Sequence, residues 1–465
     1  MNKNRSTLLL IFLLLIANIA VSQNVKITGK VNEPDALIRL LTYNDMLTCE
    51  QTLAYETKSD DKGDFLIEME ISDITMAQIA VNLERVDLLL KPDAAYNIEI
   101  VIPERKKNVS YFEREEPELK IIDINDDDLY YQYYVSNMII DDFILNNFNQ
   151  IYRSRKISLL DSLDVEISRN LKDIKSDFVK ENVRYRKAEI QMVINNDNAK
   201  KVVNQYYNKQ KVLYSNPAYM DLFQEIFTNY FTSRIFNQLE LEQMLYEDYD
   251  RFMSYLKGKD VFLSENPNLA EIIVAYNLKG MFYELPEDRR AILEKLNSIA
   301  QNSKSQEGKE IANDILKQIN RLSFNSEAPD FSLKDKDGKI VRLSDYKDNM
   351  LLLQFVDEVS AMTDYQFELL KDFSNRWQDT IQVVTIATKD SFDDFKRMFE
   401  DKNYKWTLLN LENEILLLEK YQIRLFPDYV IIGKNGKIGM SPAPSPEQYL
   451  DFHVRRLYKY YYKKL

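Results

Sequence analysis

Cysteine is almost missing from this chain: Cys49 is the only one in 465 residues. A single thiol forms no internal disulfide, and Cys49 is expected to be a small core residue. Histidine is as scarce, with His453 alone, and one His plus one Cys cannot build a usual zinc site. Glycine occurs only nine times, which excludes glycine-rich phosphate loops. Positive charge is in deficit: the net charge is −13, which argues against a nucleic-acid partner. The local exception is the tail, where Arg455, Arg456 and Lys459 to Lys464 interleave with Tyr458 and Tyr460 to Tyr462. It reads as a last helix with cations near its C-terminal end. Past the N-terminus no apolar run is long enough to span a membrane.

The start of the chain reads as a secretory leader over residues 1–22. Lys3 and Arg5 form the charged start, Leu8–Ile19 the apolar run, and Ala20-Val21-Ser22 a small-residue cleavage site before Gln23. No cysteine follows the run to carry a lipid anchor. Export to a bacterial periplasm, in association with the cell envelope, is the expected localisation.

Residues 23–118 read as strands. Val25, Ile27 and Val31 surround Gly29, Phe65–Ile71 largely alternates, and Asp60–Asp64 forms a turn before it. Apolar runs at Ile79–Leu83, Val86–Leu90 and Ile98–Ile102 complete a small all-β domain. Proline then nearly vanishes: residues 119–322 hold only Pro217, Pro267 and Pro286. Helical spacing runs through Tyr130–Phe148, Ile157–Phe178, Ala188–Tyr214, Tyr219–Leu239, Tyr246–Leu256, Leu269–Tyr283 and Glu287–Gln301. The stripes Tyr130, Tyr131, Tyr133, Tyr134 and Tyr206, Tyr207 read as packed helix faces.

The organising stretch is 351–363. A buried-strand run, Leu351–Val356, meets a short turn and then a helix whose apolar residues Met362, Tyr365, Leu369, Phe373 and Trp377 step by three and four. Another apolar strand at Ile381–Ala387 completes a βαβ unit. The turn opening the helix is where such a fold presents chemistry, because free N–H groups and the positive dipole end lower a thiol's pKa there.

Here the sequence resembles periplasmic thioredoxin-like proteins of the AhpC/TSA and TlpA/ResA type. The resemblance rests on Ala328-Pro329-Asp330-Phe331-Ser332-Leu333, the turn Asp335–Lys339, Leu343-Ser344-Asp345-Tyr346, the strand ending at Phe355, and Tyr421–Ile432. It implies a cis-proline at Pro427 and places Ser360 and Thr363 where that family carries its two cysteines. The hairpin Gly433–Lys437, with Asn435-Gly436 as a tight turn, follows. The first domain resembles the β-sandwich found ahead of such domains in exported proteins of Bacteroidota-type bacteria. Ile27-Thr28-Gly29-Lys30-Val31, Gly63 before Phe65, and Leu90-Lys91-Pro92-Asp93 carry that likeness, with Asp93 replacing the family's usual glycine. The expected architecture is thus multidomain: leader 1–22, β-sandwich 23–118, all-α domain 119–322, and thioredoxin-like α/β domain 323–465.

Disulfide exchange needs a thiolate and a second sulfur, and Ser360 and Thr363 supply only hydroxyls. The expected function is therefore redox-inactive, non-covalent binding of a polypeptide or envelope protein, in a groove bounded by Ser360, Thr363, Phe426 and Pro427. No cofactor is expected. Two alternatives stay open: an oxidoreductase that borrows Cys49 or a partner's cysteine, and a scaffold working through the helical domain. Metal readings of Asp123, Asp126, Asp127 and Asp128, or of Asp335, Asp337 and Gly338, lack the full calcium-loop spacing; a solvated linker and a plain turn fit them better. Ser360 as a hydrolytic nucleophile lacks a neighbouring base motif; it reads as a helix N-cap, with Thr363 in the first turn. Asp357 and Glu358 precede it and are placed to cap the helix or repel an anion.

Overall fold

The computed structural model describes residues 23–105, 109, 111–123, 125, 128–171, 173–195 and 199–462. The leader 1–22, Asp126, Asp127, Lys463 and Lys464 lie outside the described residues. The chain forms two compact units. Unit 1 holds residues up to Val81, Arg85–Ile102 and Pro117–Thr228; unit 2 holds Asn82–Glu84, Pro103–Glu116 and Asn229–Leu465.

In unit 1 the strands are β1 (Gln23–Val31), β2 (Leu37–Tyr43), β3 (Gln51–Lys58), β4 (Asp64–Ile71), β5 (Thr75–Val81), β6 (Glu84–Leu90, in unit 1 from Arg85 on), β7 (Ala95–Val101) and β8 (Glu118–Ile122). They make two four-stranded sheets, ordered β4-β1-β7-β8 and β3-β2-β5-β6. Val25, Ile27, Phe65, Ile67, Ile98 and Ile100 of one sheet share a core with Ile38, Leu40, Ile79, Val81, Leu88 and Leu90 of the other, so the region is a β-sandwich. β2, β3 and β8 are not legible as alternating runs. β2 is buried over four consecutive residues and β3 has no fully buried residue, so neither shows a clear period of two. Gly63 sits at φ 84°. Its missing Cβ is directed at the Val31 carbonyl, so only glycine fits the turn. Asp93 takes φ 58° in place of the expected glycine, a left-handed conformation that Asp tolerates better than most residues.

Helices α1 (Leu129–Asn146), α2 (Phe148–Tyr152), α3 (Leu159–Asn170), α4 (Asp177–Ile194), α5 (Ala199–Tyr206) and α6 (Pro217–Phe227) belong to unit 1. Unit 2 continues with α7 (Gln238–Leu245), α8 (Tyr249–Lys259), α9 (Val261–Glu265), α10 (Pro267–Glu284), α11 (Arg289–Asn302) and α12 (Gln306–Arg321). Pro217 and Pro267 each open a helix at its first residue, where no N–H partner is needed. Three expected spans are corrected. The Ile157–Phe178 helix ends at Asn170, α4 runs through the break expected before Ala188, and the Tyr219–Leu239 helix ends at Phe227. The helix α12 lies beyond the expected spans; Ser305 caps it, accepting from the Gly308 N–H at 3.1 Å. Of the tyrosine stripes, Tyr207 is buried and donates to the Tyr219 carbonyl at 2.8 Å, whereas Tyr134 is exposed.

The rest of unit 2 comprises β9 (Ser332–Asp335), β10 (Ile340–Arg342), β11 (Met350–Val356), α13 (Ala361–Trp377), β12 (Ile381–Ala387), α14 (Phe392–Asp401), β13 (Thr407–Asn410), α15 (Ile415–Lys420), β14 (Asp428–Ile432), β15 (Ile438–Met440) and α16 (Leu450–Tyr462). The seven-stranded sheet is ordered β10-β9-β13-β12-β11-β14-β15. β11 and β12 are parallel, while β14 runs antiparallel to β11 and pairs Asp428 with Phe355. Every residue of β11 is buried, as a central strand covered on both faces requires. Leu352 and Val356 face one core with Phe367 and Phe373; Leu353 and Phe355 face the other with Leu418 and Tyr421. A βαβ unit, a further helix and strand, then ββα on one central strand give the C-terminal region a thioredoxin-like α/β architecture. Among the described residues no helix is long and apolar enough to cross a membrane.

Candidate functional site

The inward face of α13 keeps Phe373 and Trp377 of the expected stripe but departs from it over the first two turns. Met362 is 57% and Tyr365 55% exposed, while Thr363, Gln366, Phe367, Leu370 and Phe373 are buried. The register is set by Phe367 in the core and by Gln366, whose side-chain carbonyl accepts from the Tyr429 hydroxyl at 2.7 Å. A polar residue with a buried partner belongs inside, which periodicity of apolar residues cannot reveal.

Ser360 is the N-cap of α13, its Oγ accepting from the Thr363 N–H at 3.2 Å, the bond that satisfies one of the orphan donors of a helix start. The Thr363 hydroxyl donates to the Glu358 carbonyl at 3.0 Å, and the two side-chain oxygens lie 2.9 Å apart. Each hydroxyl carries one proton. Since Thr363 donates its own to Glu358, Ser360 donates to Thr363. Both protons are used locally, and Thr363 is 3% exposed.

The other end of the expected groove comes from the segment before β14. The Phe426–Pro427 peptide is cis, and Pro427 immediately precedes Asp428, which lies opposite Phe355 at the end of β11. β11 leads through Asp357–Val359 into the Ser360 turn, so the strand pairing brings both segments to one end of the sheet. Burial pushes the Asp428 carboxyl above the ordinary carboxylate range, with the Tyr429 N–H partly opposing it. Val359 and Leu425 are exposed, as are Met362 and Tyr365.

Asp357 neither caps the helix nor faces solvent. Its side chain is 2% exposed, and Oδ1 accepts from the Thr388 hydroxyl at 2.7 Å. Oδ2 accepts from the Tyr111 N–H, and the Arg114 guanidinium stands 3.7 Å from Oδ1. Arg114 also pairs with Asp390 at 2.9 Å and Glu84 at 3.2 Å. Phe112 stacks on Phe426 with ring centroids 5.2 Å apart. Sequence reasoning missed Tyr111, Phe112 and Arg114. Their signal was the lone aromatic pair in a charged stretch, Glu104 to Glu116.

Other candidates resolve into local roles. Cys49 is exposed rather than in the core: it follows directly on a turn, at φ 51°, with its thiol directed at the Met46 carbonyl. His453 lies on α16 with its ring edge-on to Phe452. Asp128 caps α1 by accepting from the Tyr130 N–H, and Asp335 accepts from the Asp337 and Lys339 N–H groups of its turn.

Residues 324–441 match the AhpC/TSA family. No curated protein matches the chain. Solved structures similar to it include the thioredoxin domain of a thiol-disulfide oxidoreductase from Bacteroides vulgatus, 22% identical, covering 29% of this chain and 99% of that one at TM-score 0.27. A thiol:disulfide interchange protein from a Bacteroides species is 22% identical, covering 30% and 91% at TM-score 0.27. The exposed lipoprotein thioredoxin Etrx1 of Streptococcus pneumoniae is 27% identical, covering 28% and 100% at TM-score 0.25. The C-terminal region is thus a thioredoxin-like domain of AhpC/TSA type, on its family match and strand order, and it lacks the Cys-x-x-Cys pair.

Proposed function

We propose that the thioredoxin-like domain binds an extended polypeptide without covalent chemistry, in the cleft between the Ser360–Thr363 turn and the Phe426–Pro427 segment. The observation that carries this reading is the closed hydroxyl pair. Ser360 and Thr363 have no sulfur to exchange and, among the described residues, no base within their hydrogen-bond network. The Phe426–Pro427 segment meanwhile stays at the same end of the sheet, through the Phe355–Asp428 pairing. Exposed Val359, Met362, Tyr365 and Leu425 give that end of the domain an apolar surface suited to peptide side chains. The test is paired. The mature wild-type chain should give no turnover in insulin-disulfide reduction yet bind a labelled, unfolded polypeptide. Leu425→Asp, which puts a charge on the exposed apolar rim, should weaken that binding. Turnover by wild type sinks the reading.

A second reading keeps thiol chemistry through Cys49, because that thiol is exposed and open to a partner's cysteine. Cys49→Ser with unchanged phenotype removes it. Export to the periplasm through residues 1–22 is read from the leader pattern, and a chain beginning at Gln23 in periplasmic extract is its check.

A further inference from the structure

The geometry points to a built-in occupant of the cleft: the Tyr111–Arg114 turn of the same chain sits where an outside peptide would bind and must leave before one does. This rests on the peptide-binding reading above. Three kinds of contact hold the turn. Its backbone is anchored through the Tyr111 N–H, which donates to buried Asp357 three residues before Ser360. Its side chains engage the cleft wall and the neighbouring backbone: Phe112 stacks on Phe426, the residue before Pro427, and the Tyr111 hydroxyl donates to the Leu83 carbonyl at 2.8 Å. Its charge is clamped, with Arg114 set among Asp357, Asp390 and Glu84 while stacking 5.2 Å over the Tyr111 ring. Arg105 adds a second cation on Asp390 and Glu84.

The hold is strong at one end and weak at the other. Asp357 and Arg114 are withdrawn from water, where breaking an ion pair is costly. Phe112, by contrast, remains 42% exposed on its perch. A competitor with an apolar side chain therefore displaces Phe112 first. A turn that is open about one-tenth of the time lowers the apparent affinity for such a competitor about tenfold.

The experiment uses the full mature chain, wild type and Phe112→Ala. The probe is a fluorescent, cysteine-free extended peptide rich in Phe, Tyr and Leu, read by anisotropy, with hydrogen exchange at the Tyr111 amide followed in parallel. Expected are about tenfold tighter binding by Phe112→Ala and loss of Tyr111 protection when the probe saturates wild type. Arg114→Ala releases the same turn from its other end and should act in the same direction. If the probe binds wild type and Tyr111 stays protected, the turn is not the occupant, and peptide binding stands without it. If both variants keep Tyr111 protected, these contacts do not hold the turn and the inference fails. If the amide exchanges freely in both variants and neither binds the probe, the occupant and the peptide reading fall together.

Discussion

Gln354 and Tyr429 are directly opposed across the antiparallel β11–β14 pair, and the Gln354 amide donates to the Tyr429 hydroxyl at 3.0 Å. On the other side Gln354 opposes Thr385, whose hydroxyl donates to its carbonyl at 2.9 Å. The chain of bonds extends to Trp406, which donates to Thr385, and through Tyr429 and Gln366 to Glu447. A polar side chain at the centre of a fully buried strand is tolerated because each of its groups is used.

Tyr429→Phe removes one hydroxyl and leaves the Gln354 amide and the Gln366 carbonyl without that partner. The expected loss is about 1–3 kcal/mol of unfolding free energy, the cost of unsatisfied buried polar groups. Urea denaturation with an unchanged slope checks it; a loss near zero would mean that the network rearranges freely.

Ser360→Ala should cost about 1 kcal/mol, the usual worth of an N-cap oxygen, and Ser360→Asp should retain most of it. Thermal melts of the three chains decide this. Equal melting of Ala and Asp variants would show that the cap is not what Ser360 contributes.

Ser360→Cys combined with Thr363→Cys should create disulfide exchange that a hydroxyl pair at this turn cannot perform, since the helix N-terminus favours a thiolate at the first position. A folded but inert double variant would show that the surroundings of this turn no longer support the chemistry.

Alkaline pH should destabilise unit 1 through its buried phenols. Tyr96 accepts from the Lys91 N–H, donates to the Leu89 carbonyl, and is pushed up to about 12 by burial; burial likewise takes Tyr133 to about 12. A raised folded-state pKa means stability that is fully present below the unfolded value near 10 and lost as pH rises through about 12. Tyr96→Phe should flatten the decline between those pH values, measured by circular dichroism across an alkaline titration. An unchanged slope would assign the sensitivity to other groups.

Much of the C-terminal fold was legible because β11 is apolar but for Gln354 and β12 nearly so. Asn435-Gly436 also takes the positive φ angles that its hairpin needs. That positions 360 and 363 carry hydroxyls rather than thiols was legible too, as a one-dimensional fact. Local spacing failed on α13, where Met362 and Tyr365 look like core but the buried face is chosen by Gln366 and Phe367. It also failed for β2 and β3, whose burial depends on a second sheet.

The sequence by itself determined which chemistry the turn can hold, since a hydroxyl cannot become a disulfide whatever surrounds it. Only the tertiary structure decided what the turn's neighbours are. Asp357 accepts from Tyr111, and Phe112 lies on Phe426, across sequence gaps that no local pattern encodes. Buried polar groups and stacked rings find partners by burial rather than by spacing, so their pairing appears only once the chain is folded.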